Sequence, residues 1–198
     1  MVQVDYQEFI ERKKEFLERI ERDREIGYLD PGIEPLLKTI NSREKSYTTS
    51  SCSGRVTVID SPKPWIRGES EVVFKKHARV EPEELLPYVN TKPKYAFWAQ
   101  ATGPILHIIT LDLDEARLML EAGRRSGFKH SGIMSVSSKG FLVELVSGSQ
   151  VNILLRTREA IIINPESINT IAEVLNSVLD EAKLRIDRLR MEIERMGG

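Results

Sequence analysis

Cysteine is all but missing from this chain of 198 residues: Cys52 stands alone, so no internal disulfide can form. Histidine is almost as scarce, with only His77, His107 and His130, and none is spaced with Cys52 as zinc ligands would be. No resident metal is therefore expected. No apolar run approaches the roughly 20 residues that span a bilayer. The first residues, Met1–Asp5, enter a charged helix at once and do not read as a signal peptide, so cytoplasm is the expected compartment. There is no Walker glycine-lysine loop and no Gly-x-Gly-x-x-Gly after a strand, which removes support for P-loop and Rossmann nucleotide sites. A formal net charge of −1 excludes a globally basic nucleic-acid binder. No low-complexity linker interrupts the chain, and a single domain over residues 1–198 is expected.

What is present begins with Thr48–Arg55, reading Thr-Thr-Ser-Ser-Cys-Ser-Gly-Arg, where six of eight residues carry a small hydroxyl or thiol. Such groups at a strand entrance commonly bond to nearby backbone. The alternative is a polar cradle, in which hydroxyls, backbone N–H groups and one guanidinium face a carboxylate, phosphate or ribose. Gly54 supplies the freedom to turn. Around this stretch the periodicities alternate between helix and strand. A helix is predicted over Asp5–Ile26 with the apolar stripe Phe9, Ile10, Phe16, Leu17 and Ile20, and a short one over Glu34–Ile40. Strands are predicted at Thr49–Ile59 and Glu71–Val80, joined by a long basic link at Ser61–Gly68, and a short helix starts at Glu81. Strands follow at Tyr95–Gln100 and Ile105–Thr110, then a helix over Leu113–Arg125. A hairpin is expected from Ile133–Ser137 and Phe141–Val146, and two more strands at Val151–Leu155 and Ala160–Ile163. From Asn164-Pro165 a long helix carries the seam Ile168, Ile171, Leu175, Val178, Ala182, Ile186, Leu189, Ile193 and Met196, spaced like one side of a coiled coil. Its cover is expected from the N-terminal helix or from a second subunit. The class is α/β in the α+β sense, with helices packed on a sheet. Ser-Cys-Ser-Gly-Arg and Ser-Val-Ser-Ser-Lys-Gly each precede or join a strand pair, which points to an internal duplication.

Charge is uneven locally. Between Lys45 and Arg79 seven basic residues face three acidic ones, and Trp65, Phe74 and His77 are interleaved with them. That mixture suits a polyanion with stackable bases, as it also suits the solvated face of a hairpin. His107 alternates with apolar neighbours in Pro104–Ile109 and reads either as a satisfied structural histidine or as a functional one. His77 ends the basic Phe74-Lys75-Lys76 run. Cys52 reads as a small apolar filler or as a nucleophile. No Ser-His-Asp order is legible and no carboxylate pair stands out.

Several segments together resemble one family. They are Leu29-Asp30-Pro31, Pro35-Leu36-Leu37, Ile40-Asn41, Thr48–Arg55, Phe74-Lys75-Lys76-His77, Pro104-Ile105-Leu106-His107, Ala122–Gly127 and Ser131-Gly132-Ile133. In this order, over nearly the whole chain, they are similar to the tRNA wybutosine-synthesizing protein 3 family. The resemblance implies an S-adenosylmethionine-dependent enzyme that methylates a ring nitrogen of the tricyclic wybutosine precursor beside the anticodon of phenylalanine tRNA. It implies a non-Rossmann fold with a mixed sheet and an internal repeat. A general base would be His77 or His107, since imidazole titrates near neutral pH. Ser50, Ser51, Ser53 and Arg55 would hold the cofactor. Trp65 would stack on the modified base, and Lys75, Lys76, Arg124 and Arg125 would contact the tRNA. Two other readings stand beside this one: a non-catalytic RNA-binding module, and an adaptor that dimerises through its terminal helices. The chain is expected to act as a monomer or homodimer.

Overall fold

The computed structural model describes residues 4–196. Met1–Gln3, on which part of the leader reading rested, and Gly197–Gly198 lie outside the described residues. The chain folds as two compact units. The first is built from residues 1–53, 104–148 and 183–198, and the second from 54–103 and 149–182.

The first unit holds the helices α1 (Tyr6–Glu25), α2 (Glu34–Asn41) and α4 (Leu113–Arg125). Its strands are β1 (Ser46–Cys52), β5 (Ile105–Thr110), β6 (Gly132–Ser137) and β7 (Gly140–Val146). They form a sheet of order β1-β5-β7-β6. Alternate residues of β5 and β7, namely Leu106, Ile108, Val143 and Leu145, are buried against Leu36, Leu37 and Ile40 of α2 and Ala116 and Met119 of α4. Ile186, Leu189 and Ile193, from the last half of the final helix α5 (Ile168–Met196), complete this core. Asp112 caps α4 by accepting from the Glu115 N–H at 2.8 Å.

The second unit holds β2 (Arg55–Asp60), β3 (Glu71–Lys76), β4 (Ala96–Thr102) and β8 (Gln150–Thr157), in the order β3-β2-β4-β8. Val56, Val58, Ala99 and Ala101 face Leu85 and Val89 of α3 (Pro82–Asn90) and Ile168, Ile171, Leu175 and Leu179 of α5. Asp60 is buried but satisfied, accepting from the N–H groups of Lys94 (2.6 Å), Tyr95 (2.8 Å) and Ala96 (3.2 Å). Asn176 likewise exchanges two hydrogen bonds with the Val80 backbone.

The α+β class expected from the sequence is present. A mixed sheet is not, because every strand ladder pairs antiparallel. Hairpin-length connections such as Ser138–Lys139 impose that direction. Three local expectations also change. Thr49–Ile59 is two strands in two different sheets, broken at Ser53-Gly54, where Gly54 takes φ +104° and a Cβ would come 2.8 Å from the Thr102 carbonyl oxygen. Ala160–Ile163 forms only one bridge, Arg156 to Ile161, because a tight turn closed by Thr157 and Ala160 returns the chain too briefly. The long helix carries its seam into the core of each unit. The N-terminal helix, expected as its cover, instead lays Phe9 and Phe16 on the Tyr47 ring of β1, at 5.1 and 5.5 Å. Of its stripe only Phe9 is fully buried.

Candidate functional site

The hydroxyl-rich stretch is a strand over most of its length, and a strand sends successive side chains to opposite faces. Ser46 and Thr48 point inward. Ser46 Oγ donates to Glu115 at 2.6 Å, and Asn41 bonds both the N–H (2.8 Å) and the hydroxyl (3.0 Å) of Thr48. Glu115 in turn receives Arg43 in a two-pronged pair, at 2.6 and 3.0 Å. Burial pushes the Glu115 carboxyl up, but the Arg43 and Ser46 bonds outweigh it and hold the group below its ordinary value. These bonds fix the register of β1 from beneath.

Between Thr48 and Ser50 the pairing with β5 slips by one residue, a β-bulge. Ser50 thereby stands opposite His107, on the face away from the α2–α4 core, and His107 stands opposite Glu144 of β7. The three side chains meet in a row. Ser50 Oγ lies 2.6 Å from His107 Nδ1, and Glu144 Oε2 lies 2.7 Å from His107 Nε2. The row is open to solvent: Ser50 is exposed, and the His107 and Glu144 side chains are about a third and a quarter exposed (31% and 26%). Three residues further on, Ser53 donates both its N–H (3.1 Å) and its hydroxyl (2.9 Å) to the Asp30 carboxylate. Ser51 is half-buried and faces inward beside Leu106.

The remaining candidates fall elsewhere. Arg55 opens β2, exposed, in register with Thr102. Lys75 is exposed on β3, in a row with Thr57, Gln100 and Asn152 of the neighbouring strands; Gln100 donates to Asn152 at 2.7 Å. Lys76 is committed to Glu84 at 2.6 Å. The Glu81 backbone N–H, and after it the Lys76 ammonium, hold the Glu84 carboxyl below its ordinary range. His77 follows β3 directly. Trp65 is 74% exposed in the β2–β3 link. Arg124 is exposed at the end of α4, and Arg125 pairs with Glu121 and, at 3.8 Å, with Glu192.

Glu144 and Asp30 were missed by sequence reasoning. Glu144 is the one charged residue in an otherwise apolar strand, which is a signal in itself. Asp30 reads as a turn residue, and only the fold brings it to Ser53.

With this geometry in view, comparison with known proteins is informative. The family described as "Methyltransferase TYW3" matches residues 11–195. The tRNA(Phe) 7-((3-amino-3-carboxypropyl)-4-demethylwyosine(37)-N(4))-methyltransferase of Saccharolobus solfataricus is 37% identical over 181 residues, which is 91% of this chain and 87% of that protein. The protein of the same description from Aeropyrum pernix is 36% identical over 178 residues, 88% of this chain and 93% of its own length. Among solved structures, the PH1069 protein from Pyrococcus horikoshii superposes with a TM-score of 0.87 at 33% identity, covering 94% of this chain and 96% of that one. The fold is that of an α+β protein with two antiparallel sheets, and the solved relative from Pyrococcus horikoshii resembles it over nearly its whole length. The chain belongs to the TYW3 methyltransferase family.

Proposed function

We propose that the chain is an S-adenosylmethionine-dependent tRNA methyltransferase. Its substrate is phenylalanine tRNA carrying the aminocarboxypropyl-demethylwyosine base, and its product bears a methyl group on a ring nitrogen of that base. Family membership over residues 11–195 carries this reading. The chain acts as one catalytic domain in the cytoplasm; no helix of the described residues is long and apolar enough to cross a membrane.

The donor set of the first unit fits an amino-acid-bearing sulfonium. The Asp30 carboxylate, held by the N–H and hydroxyl of Ser53, suits its ammonium group. When bound, that group supplies an already activated methyl. The chain's own residues therefore have to align, exclude water and take one proton. His107 is the base, held between the Ser50 hydroxyl and the Glu144 carboxylate on an open sheet face. Arg55 and Lys75 offer exposed cations for phosphate or carboxylate groups, and Trp65 an exposed ring for stacking.

Transfer of tritium from methyl-labelled S-adenosylmethionine to precursor-bearing phenylalanine tRNA tests the reading. Counts in the tRNA, lost in His107→Asn, are expected. A folded chain that neither binds the methyl donor in calorimetry nor labels the tRNA refutes it, and tRNA binding alone would favour the non-catalytic module.

A further inference from the structure

The row Ser50–His107–Glu144 assigns a direction to the proton. Glu144 reaches His107 Nε2 at 2.7 Å, and an ionised carboxylate can only accept. The hydrogen of the neutral imidazole therefore sits on Nε2. Nδ1 then carries a lone pair, and the Ser50 hydroxyl, 2.6 Å away, must be its donor. Both ring nitrogens are thus engaged within the sheet, one by β7 and one by β1. A substrate approaching this face cannot meet a bare imidazole nitrogen. The proton acceptor it meets is Ser50 Oγ, whose residue is exposed while the histidine is mostly covered.

We propose that Ser50 is a catalytic proton relay, not a cofactor-binding group, and that Glu144 is a positioning residue acting through His107. This rests on the methyltransferase reading above. The ring nitrogen of the substrate gives its proton to Ser50 Oγ as the Ser50 proton passes to His107 Nδ1. The electron pair left on the nitrogen forms the new nitrogen–carbon bond, while the sulfur keeps the pair of the broken sulfur–carbon bond. The ring ends as imidazolium, doubly hydrogen-bonded, with its charge beside the Glu144 carboxylate. Ser50 ends with one proton, as it began.

The pattern also accounts for the bulge. With unbroken alternation along β1, Ser50 would point into the core with Ser46 and Thr48, and Thr49 would occupy the outer face. The slip sets the Ser50 hydroxyl, in place of that of Thr49, opposite His107.

The test begins without substrate. In the nitrogen-15 imidazole spectrum of the free protein, with His107 assigned through His107→Asn, the Nε2–H tautomer is expected. Glu144→Gln should mix the tautomers, and Ser50→Ala should shift Nδ1 alone. A clean Nδ1–H tautomer in the parent protein overturns the relay. In the tritium assay, Ser50→Ala should lower kcat by roughly a hundredfold or more, the lower range for a lost general base, with KM for both substrates within about twofold. Ser50→Thr, which keeps a hydroxyl, should restore most of the rate. Unchanged kcat with a raised KM for S-adenosylmethionine makes Ser50 a cofactor contact and overturns the proposal. If the parent chain transfers no methyl, it is the methyltransferase reading that fails; the tautomer result still judges the row.

Discussion

Removing Arg43 should unfasten the strand that carries Ser50. In the folded protein the Arg43 guanidinium holds Glu115 through two bonds, and Glu115, 7% exposed, holds Ser46 at the start of β1. Arg43→Met keeps the length and apolar stem but leaves a buried carboxylate with only the Ser46 hydroxyl. Breaking one partner of a buried pair costs about 3–5 kcal/mol. Arg43 is itself partly solvated, at 17% exposure, so the lower end applies. About 3 kcal/mol in a chain of this length is roughly 6–12 °C in Tm by calorimetry. The pH dependence follows from the sign of the Glu115 shift. Its folded-state pKa is depressed, so its contribution is present above the ordinary carboxyl value and is lost as pH falls through the lowered folded value. In Arg43→Met burial dominates and the carboxyl titrates upward, so the difference between parent and variant should be widest near neutrality and shrink towards pH 4. The double variant Arg43→Met with Glu115→Leu should recover most of the loss, since no charge is left buried. A Tm change under about 2 °C in the single variant at pH 7 would mean that Glu115 is solvated and that β1 is held by something else.

Lys75→Ala should reduce the slope of log affinity for tRNA against log salt by about 0.7–0.9, one phosphate contact, with binding of S-adenosylmethionine unchanged. Lys76→Ala should leave that slope alone and instead lower Tm slightly, because Lys76 is spent on Glu84; filter binding across a salt series separates the two. Arg55→Lys keeps the charge and loses the planar fork. If Arg55 grips an anion in two-pronged fashion, affinity should fall by a charge-assisted bond, about 1.5–3 kcal/mol, and a silent change by calorimetry would make it a solvated strand end. Cys52→Ala should keep turnover, since methyl transfer from a sulfonium needs no protein nucleophile; a folded but inactive variant would point to covalent chemistry. Asp60→Ala should destabilise by several kcal/mol, because three buried N–H groups lose their acceptor together.

The elements were legible where a single periodicity governs them. Leu113–Arg125 was read to the residue, because Asp112 and the basic pair Arg124-Arg125 mark its ends and the apolar spacing between them is regular. The seam of α5 was legible for the same reason: Ile171, Leu175, Ala182, Ile186, Leu189 and Ile193 are all buried. What that seam would meet was not, since a helical stripe states that it needs an apolar partner without naming which one. The break at Ser53-Gly54 was half legible. Gly54 announced a turn, but only the sheets show that the strand on one side of it pairs with β5 and the strand on the other with β3 and β4.

The site was legible as composition and illegible as geometry, and the bulge at Thr49 is the reason. Alternation in a strand is a rule about parity, so one inserted residue reverses every assignment beyond it. Read with unbroken parity, Thr48 and Ser50 share a face and the run is a cradle of like groups. With the slip, Thr48 is a buried anchor bonded to Asn41, Ser50 is an exposed partner of His107, and Ser51 turns inward beside Leu106. A hydroxyl run tolerates this well, because Ser and Thr are small enough for either face and can bond to backbone or side chain on both. The uniform composition of Thr48–Ser53 therefore conceals three separate tasks: fixing the register of β1, completing the histidine row and holding Asp30. Removing the bulge tests that division directly. Deleting Thr49 should remove the bulge and set Ser50 directly after Thr48, still opposite His107 with its hydroxyl on Nδ1. Methyl transfer should then stay near the parent rate, unlike in Ser50→Ala, while the buried bonds of Ser46 keep the strand in place. A Thr49 deletion that folds and binds the methyl donor but transfers no methyl would show that the pairing of Ser50 with His107 does not by itself carry the proton.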